Sequence, residues 1–259
     1  MKVGIIGATG WLGSALGGGL LARGMLQPRD LLLLNRSGPR GDYHGHGDVT
    51  WAASAGELVA GSDLVVISVR PQDWPALDLR APGRLVVSFM AGVGLARLGA
   101  CAGRIVRAMP NAAAEIGRSY SPWIAGPGVT DADRAATRWL LSAIGTEDEL
   151  GDEGQLDLMT AVPGSGAAYP ALMAVALADY LCRNGIGEAV AWRAAEAVIC
   201  DAPLVLAGRI DRAREMVDTY LGYDGTTAAG INAATAAGFG PSLQAALEAA
   251  VMKARQMDA

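Results

Sequence analysis

The sequence predicts an α/β chain: a doubly wound, largely parallel sheet in the first half, followed by an all-α second half. Three observations point that way. Short runs of leucine and β-branched residues alternate with helix-like segments up to about residue 150, the rhythm of strands joined by crossover helices. The first such run passes directly into a glycine-rich turn and then a helical pattern. Beyond Gly151 the strand signals fade, and alanine-rich helical segments run to the C-terminus. This shift occurs without a linker and divides the chain into residues 1–151 and 152–259.

Candidate strands are Val3–Ile6, Leu31–Asn35, Leu64–Val69, Leu85–Ser88 and Ile105–Ala108, whose unbroken hydrophobicity suits strands covered on both faces. Residues Asp131 to Ile144 read as an amphipathic helix, with an aspartate at its start and Gly145 at its stop. The last helix is expected to begin with Pro241 and Ser242, with Leu243, Leu247, Ala250, Val251 and Ala254 at helical spacing. Lys253 and Arg255 fall in its final turns, where cations complement the helix dipole. The stretch Leu158 to Ala178 lacks charges over a membrane-spanning length, but Pro163, Gly164, Gly166 and Pro170 would leave backbone groups unpaired in lipid. A broken pair of protein-buried helices is the expectation.

Composition excludes several classes of function. With 51% hydrophobic and 18% charged residues, the chain is rich in core-type side chains, and its many small residues suit tightly packed helices and a subunit interface. A net charge of −5 leaves no basic stripe for nucleic acid. Three scattered cysteines form neither a disulfide framework nor a zinc pattern, and the apolar run after Lys2 is too short for a signal peptide, so a cytoplasmic protein is expected. His44 and His46 supply at most half a tetrahedral site, and no metal is expected there.

Gly7, Gly10 and Gly13 follow the first strand and open the next helix, the context of a Rossmann-type dinucleotide site. The loop Gly7, Ala8, Thr9, Gly10, Trp11 and Leu12 is the expected pyrophosphate contact, because a helix N-terminus offers free N–H groups and partial positive charge. The spacing G-x-x-G-x-x-G has one residue more than the common form between its first two glycines. Gly17, Gly18 and Gly19 are unexplained by sequence, since each glycine in a helix interior costs about 0.8–1.0 kcal/mol relative to alanine. At the end of the second strand, Asn35, Arg36 and Ser37 stand where an NAD site usually has an acidic residue. An arginine flanked by a hydroxyl can bond a 2′-phosphate, so NADPH is expected over NADH.

Four more stretches complete a pattern: VVISVRPQDW (65–74), VRAMPN (106–111), TAVPGSGAAYPALMAVALAD (160–179) and GTTAAG (225–230). In order and spacing, together with the glycine loop, they resemble the pyrroline-5-carboxylate reductase family over nearly the whole chain. The resemblance implies a Rossmann domain followed by an α-helical dimerisation domain, a homodimer or higher oligomer, and NAD(P)H-dependent reduction of a cyclic imine to proline. It also implies roles for particular residues. Val69, Arg70 and Pro71 would line the cofactor, with Arg70 where the family usually has lysine. Ala91, Gly92 and Asn111 would lie toward the nicotinamide. Ser165, in the Gly164-Ser165-Gly166 turn before a long buried helix, and Thr226 and Thr227 are the catalytic candidates. Asp224, Gly225, Thr226 and Thr227 are expected to bind substrate.

Several positions depart from the family pattern. Asp224 introduces a carboxylate before the threonines, which would oppose a substrate carboxylate if it faced the pocket, or could cap the helix and point away. Val175 stands where a glutamate is common, Ala112 where a threonine is usual, and Ala167 where a proline is usual. No histidine, cysteine or paired carboxylate in these motifs looks like a dedicated acid. Positioning is therefore expected to dominate, with the imine arriving protonated or receiving its proton from Thr227 or water. The departures leave open a different imine or carbonyl substrate, or a non-catalytic NADP-binding dimer.

Overall fold

The computed structural model describes residues 1–258. Eight strands form one sheet: β1 (Val3–Ile6), β2 (Leu31–Leu34), β3 (Thr50–Trp51), β4 (Leu64–Ile67), β5 (Leu85–Ser88), β6 (Arg104–Ala108), β7 (Ser119–Ala125) and β8 (Gly145–Glu149). Their spatial order is β3-β2-β1-β4-β5-β6-β7-β8, so the strand order reverses between β1 and β4. All neighbours are parallel except β6 and β7. The switch between β1 and β4 is the place where an open parallel sheet leaves a crevice beyond its strand ends.

The five expected strands are present, with Leu31–Leu34 and Leu64–Ile67 stopping before Asn35 and Val69, and Arg104 added to the fifth. Their side chains feed two apolar layers. One contains Val3, Ile5, Leu31, Leu33, Leu64, Val66, Val87 and Val106; the other contains Ile6, Leu32, Val65, Ile67, Val86 and Ile105. Alternate residues of single strands thus enter opposite layers, which is why these strands read as continuous apolar runs.

The helices are α1 (Trp11–Ala22), α2 (Ala55–Gly61), α3 (Leu95–Leu98), α4 (Asp131–Ser142), α5 (Glu153–Ala161), α6 (Ala168–Arg183), α7 (Glu188–Glu196), α8 (Ala213–Gly222), α9 (Thr226–Ala236) and α10 (Phe239–Asp258). α4 is capped by Thr130 and not by Asp131. The Thr130 hydroxyl accepts from the Asp133 amide, and the Asp133 carboxylate accepts from the Thr130 amide. Its stop is Ala143, and Gly145 instead opens β8. α10 begins at Phe239, two residues before the expected Pro241. Pro241 is tolerated because the first turn of a helix does not use that amide.

Two compact units result: Met1–Ser165 joined by the chain from Ala250 on, and Gly166–Ala249. The helical unit has its own small centre of Ala178, Ala191 and Ala195, with Ala174, Leu177 and Leu181 against it. Helix α6, expected to be buried, is largely exposed in the single chain; Leu172 is 71% exposed. Among the described residues no helix is long and apolar enough to cross a membrane.

Candidate active site

The glycine loop is held by the backbone of two strands. Gly7 has φ +87°, and a Cβ there would run into the Ser68 carbonyl at the end of β4. The Gly7 and Ala8 amides donate to the Leu34 carbonyl at 2.8 and 3.3 Å, and Gly10 N donates to Gly7 O at 3.0 Å. Gly13 lies so near the Gly7 carbonyl that a side chain would collide with it, which seats α1 against the loop. The amides of Thr9, Trp11, Leu12 and Gly13 are left without an acceptor among the described residues, and no acidic side chain lies in the first turn of α1. Such a terminus attracts an anion.

Beside this loop opens a cleft of about 810 Å³. It is lined by Gly7, Thr9 and Gly10, by Asn35, Arg36 and Ser37 after β2, and by Ser68, Val69, Arg70 and Asp73 after β4. Asn35 Nδ2 donates to Ser37 Oγ. Asp73 accepts from Arg36 Nη1 at 3.4 Å and from Arg70 Nε at 3.1 Å. These pairs sit in solvent, with the Arg36 side chain 79% exposed, so they set position more than stability. Asp73 and Ser68 were missed in the sequence; Asp73 could have been found from its i,i+3 spacing to Arg70.

Other expected cofactor residues are placed differently. Ala8 is buried and does not line the cleft. Trp11 is 61% exposed at the first position of α1, while Leu12 packs against the core. Pro71 opens the turn Pro71–Asp73.

Ala91, Gly92 and Asn111 occupy other loops of the same unit. Gly92 has φ +63°, and a Cβ there would meet Met257 and the Ala254 carbonyl of the C-terminal helix. Ala91 packs beside Met109, Ile124 and Leu156. Asn111 braces two turns: its Oδ1 accepts from Ala113 N at 3.0 Å and its Nδ2 donates to Pro163 O at 2.9 Å. That bond ties the MPN turn to the segment carrying Ser165, whose hydroxyl donates to Thr160 O at 3.2 Å. Beneath lies Arg107, 3% exposed and paired with Glu153, whose carboxylate also accepts from Leu95 N at 2.8 Å.

Asp224, Gly225, Thr226 and Thr227 belong to the helical unit. Asp224 has φ +48°, and Gly225 is the cap residue of α9 with no side-chain cap bond. Capping by Asp224 is thereby excluded. The two threonines are the first residues of α9, and neither hydroxyl has a hydrogen-bond partner among the described residues. The first-turn amides of α9 and the two threonine hydroxyls are thus available as hydrogen-bond donors. Among the described residues no group of three or more His, Cys, Asp or Glu side chains is placed to hold a metal.

Residues 153–257 match the family model described as pyrroline-5-carboxylate reductase dimerisation, and residues 2–92 match the one described as NADP oxidoreductase, coenzyme F420-dependent. The pyrroline-5-carboxylate reductase of Pseudomonas aeruginosa is 32% identical, over 99% of this chain and 96% of its own length. A structure of 1-pyrroline-5-carboxylate reductase from Streptococcus pyogenes aligns with a TM-score of 0.83 at 26% identity, over 99% of this chain and 98% of that one. A Plasmodium falciparum pyrroline carboxylate reductase structure with NADP bound shares the fold, with a TM-score of 0.85 at 23% identity, over 100% of this chain and 98% of that one. With the glycine cradle, the arginine-lined cleft and the threonine-initiated helix already placed, the full-length likeness establishes that the chain belongs to the pyrroline-5-carboxylate reductase family.

Proposed function

We propose that this chain is an NADPH-dependent reductase of a small cyclic imine, pyrroline-5-carboxylate, to L-proline. The observation that carries the cofactor half is the arginine-lined cleft at the switch between β1 and β4. Its residues fit a dinucleotide: free amides and no carboxylate stand at the start of α1, Gly7 admits no side chain, and Arg36 with Ser37 takes the position of the usual acidic residue. The free amides of Thr9, Trp11, Leu12 and Gly13 would hold the pyrophosphate, with Gly7, Ala8 and Gly10, whose own amides are spent on backbone carbonyls, shaping the loop that presents them, and with Asn35, Arg36 and Ser37 on the 2′-phosphate. Val69, Arg70 and Pro71 would complete the wall, and Ala91, Gly92 and Asn111 would serve the nicotinamide end. When bound, NADPH supplies a hydride for the imine carbon.

The chain's own contribution is then positioning. The amides at the start of α9 and the hydroxyls of Thr226 and Thr227 would orient the imine acid, with Thr227 facing the ring nitrogen and the proton coming from it or from water. Gly225 and Asp224 would shape the same loop. Ser165, its hydroxyl turned to a backbone carbonyl, would serve by holding its turn. The carboxylate added at Asp224 and the hydroxyl lost at Ala112 favour, as a second reading, a related imine lacking a carboxylate. We place the domain boundary at residues 151 and 152, the homodimer interface on the C-terminal helical domain, and the protein in the cytoplasm, which suits three unpaired cysteines.

The test is NADPH absorbance with pyrroline-5-carboxylate added. Turnover is expected with NADPH at a KM at least about tenfold below that for NADH, the two converging in Arg36→Ala, because a charge-assisted bond to phosphate is worth about 1.5–3 kcal/mol. Equal use of both nucleotides by the wild type would sink the Arg36 assignment. Absence of turnover with full NADPH binding would favour the second reading.

A further inference from the structure

Two sequence features that the proposed reaction does not absorb meet in the structure. One is the run Gly17-Gly18-Gly19 inside α1; the other is the segment Tyr43-His44-Gly45-His46. A side chain at Gly17 would run into the Tyr43 hydroxyl and one at Gly19 into the Ala143 carbonyl, while one at Gly18 would press tightly on the His44 ring. The segment 43–46 is closed on itself by paired Tyr43 and His46 backbone bonds, both 3.1 Å. His44 at φ +53° and Gly45 at φ +83° make the tight reversal. The segment is fastened to α1 twice. His44 Nε2 lies 3.0 Å from Ser14 Oγ, and the Tyr43 hydroxyl reaches Ala8 O at 3.0 Å and Gly13 O at 3.3 Å.

Tyr43 is only 3% exposed, and its ring packs edge-on against Trp51. Burial pushes its phenol pKa up, so the group remains a proton donor throughout the neutral range. Its target matters. The Ala8 carbonyl and the Thr9 amide belong to one planar trans peptide, in which C=O and N–H point in opposite directions. Fixing the carbonyl on Tyr43 fixes the Thr9 N–H on the other side, and Thr9 lines the dinucleotide cleft while its amide has no acceptor. The Ala8 amide, on the preceding peptide plane, is spent on Leu34 O, so among the described residues the Tyr43 hydroxyl supplies the hydrogen bond that restrains the Ala8–Thr9 plane.

We infer that Tyr43 is a positioning residue for the dinucleotide: it aims the Thr9 amide into the cleft, and the glycines at 17 and 18 exist to admit the segment that carries it. This rests on the cofactor reading above. The experiment measures NADPH binding by its fluorescence, together with kcat and both KM values, in wild type, Tyr43→Phe and Gly17→Ala. Tyr43→Phe keeps the ring and removes the donor; Gly17→Ala improves intrinsic helix propensity yet drives its methyl into the Tyr43 hydroxyl. Both are expected to raise the NADPH Kd and KM about tenfold while kcat at saturating NADPH and the KM for the imine stay within about twofold.

A loop with only a structural role would lower melting temperature and active fraction and leave the NADPH KM unchanged, and that result in either soluble variant overturns the inference. Wild type that binds no NADPH removes the cofactor reading and this inference together. Wild type that binds it as tightly as both variants removes the inference alone.

Discussion

Asp224 sits in the left-handed region at φ +48°, where an aspartate is tolerated but glycine is at ease. Its side chain makes no hydrogen bond among the described residues, and it adjoins the uncapped start of α9. Asp224→Gly therefore has two separable expected effects. Relief of the backbone stabilises the protein by about 0.5–1 kcal/mol, partly offset by the freer unfolded chain, readable in a urea titration. Removal of the carboxylate lowers the KM for pyrroline-5-carboxylate about fivefold if it opposes the substrate's charge, with the NADPH KM unchanged. A gain in stability with no kinetic change would show that the carboxylate faces away. At this scale the sequence discloses residues whose chemistry is visible alone, such as Arg36 or the threonine pair. Tyr43 was hidden because its role depends on carbonyls 35 and 30 positions earlier in the chain.

Among the elements, α4 shows how composition can mislead by one residue. Asp131 looks like the helix start, yet the cap is Thr130, and the carboxylate that matters is Asp133. Asp133 closes the capping box and also takes a two-pronged bond from Arg104 on β6, at 2.6 and 2.9 Å. The Arg104 guanidinium holds the Asp133 carboxyl down at about 2 against an ordinary 3.8. A depressed folded-state pKa gives stability that is complete above the unfolded value and is lost as pH falls through about 2. Asp133→Asn is thus expected to destabilise the protein by about 2 kcal/mol at pH 7, the gap to wild type narrowing below about pH 4. Denaturant unfolding at stepped pH measures it, and a gap constant down to pH 2.5 would contradict the pairing. The strands missed in sequence have physical reasons too. β7 carries Pro122 in its middle and β8 reads Gly-Thr-Glu-Asp-Glu, neither a strand signature. β7 is secured by Trp123, fully buried, its indole N–H on Glu147 at 2.5 Å and its ring under Arg138. These are long-range contacts that no local propensity announces.

For the whole molecule, the fading of strand signals after Gly151 announces a sheet followed by helices, but not where the compact units part. That break falls after Ser165, because Leu156 of α5 is buried with Met109 and Ile124 of the sheet unit, and the chain from Ala250 on rejoins it. What a single chain buries was less legible. The helical unit leaves Leu172, Leu204, Ile210 and Tyr223 more than half exposed, far more apolar surface than a monomer retains without a use. The match of residues 153–257 to a dimerisation family model accounts for that excess. Sedimentation is expected to give at least twice the chain mass, and Leu172→Glu to shift it toward the monomer with far-UV dichroism retained. A monomeric wild type would refute the assembly.

The two rims of the sheet carry a further consequence. One rim, β3, is two residues long, and the other, β8, presents Glu147, Asp148 and Glu149, two of them held by Arg134 and Arg138. Neither rim invites a foreign strand, because a brief or strongly anionic border gives an incoming backbone little to pair with. The apolar surface that does seek a partner lies instead on the helical unit, at Leu172, Leu204, Ile210 and Tyr223, so recognition between copies is left to side chains and not to open backbone.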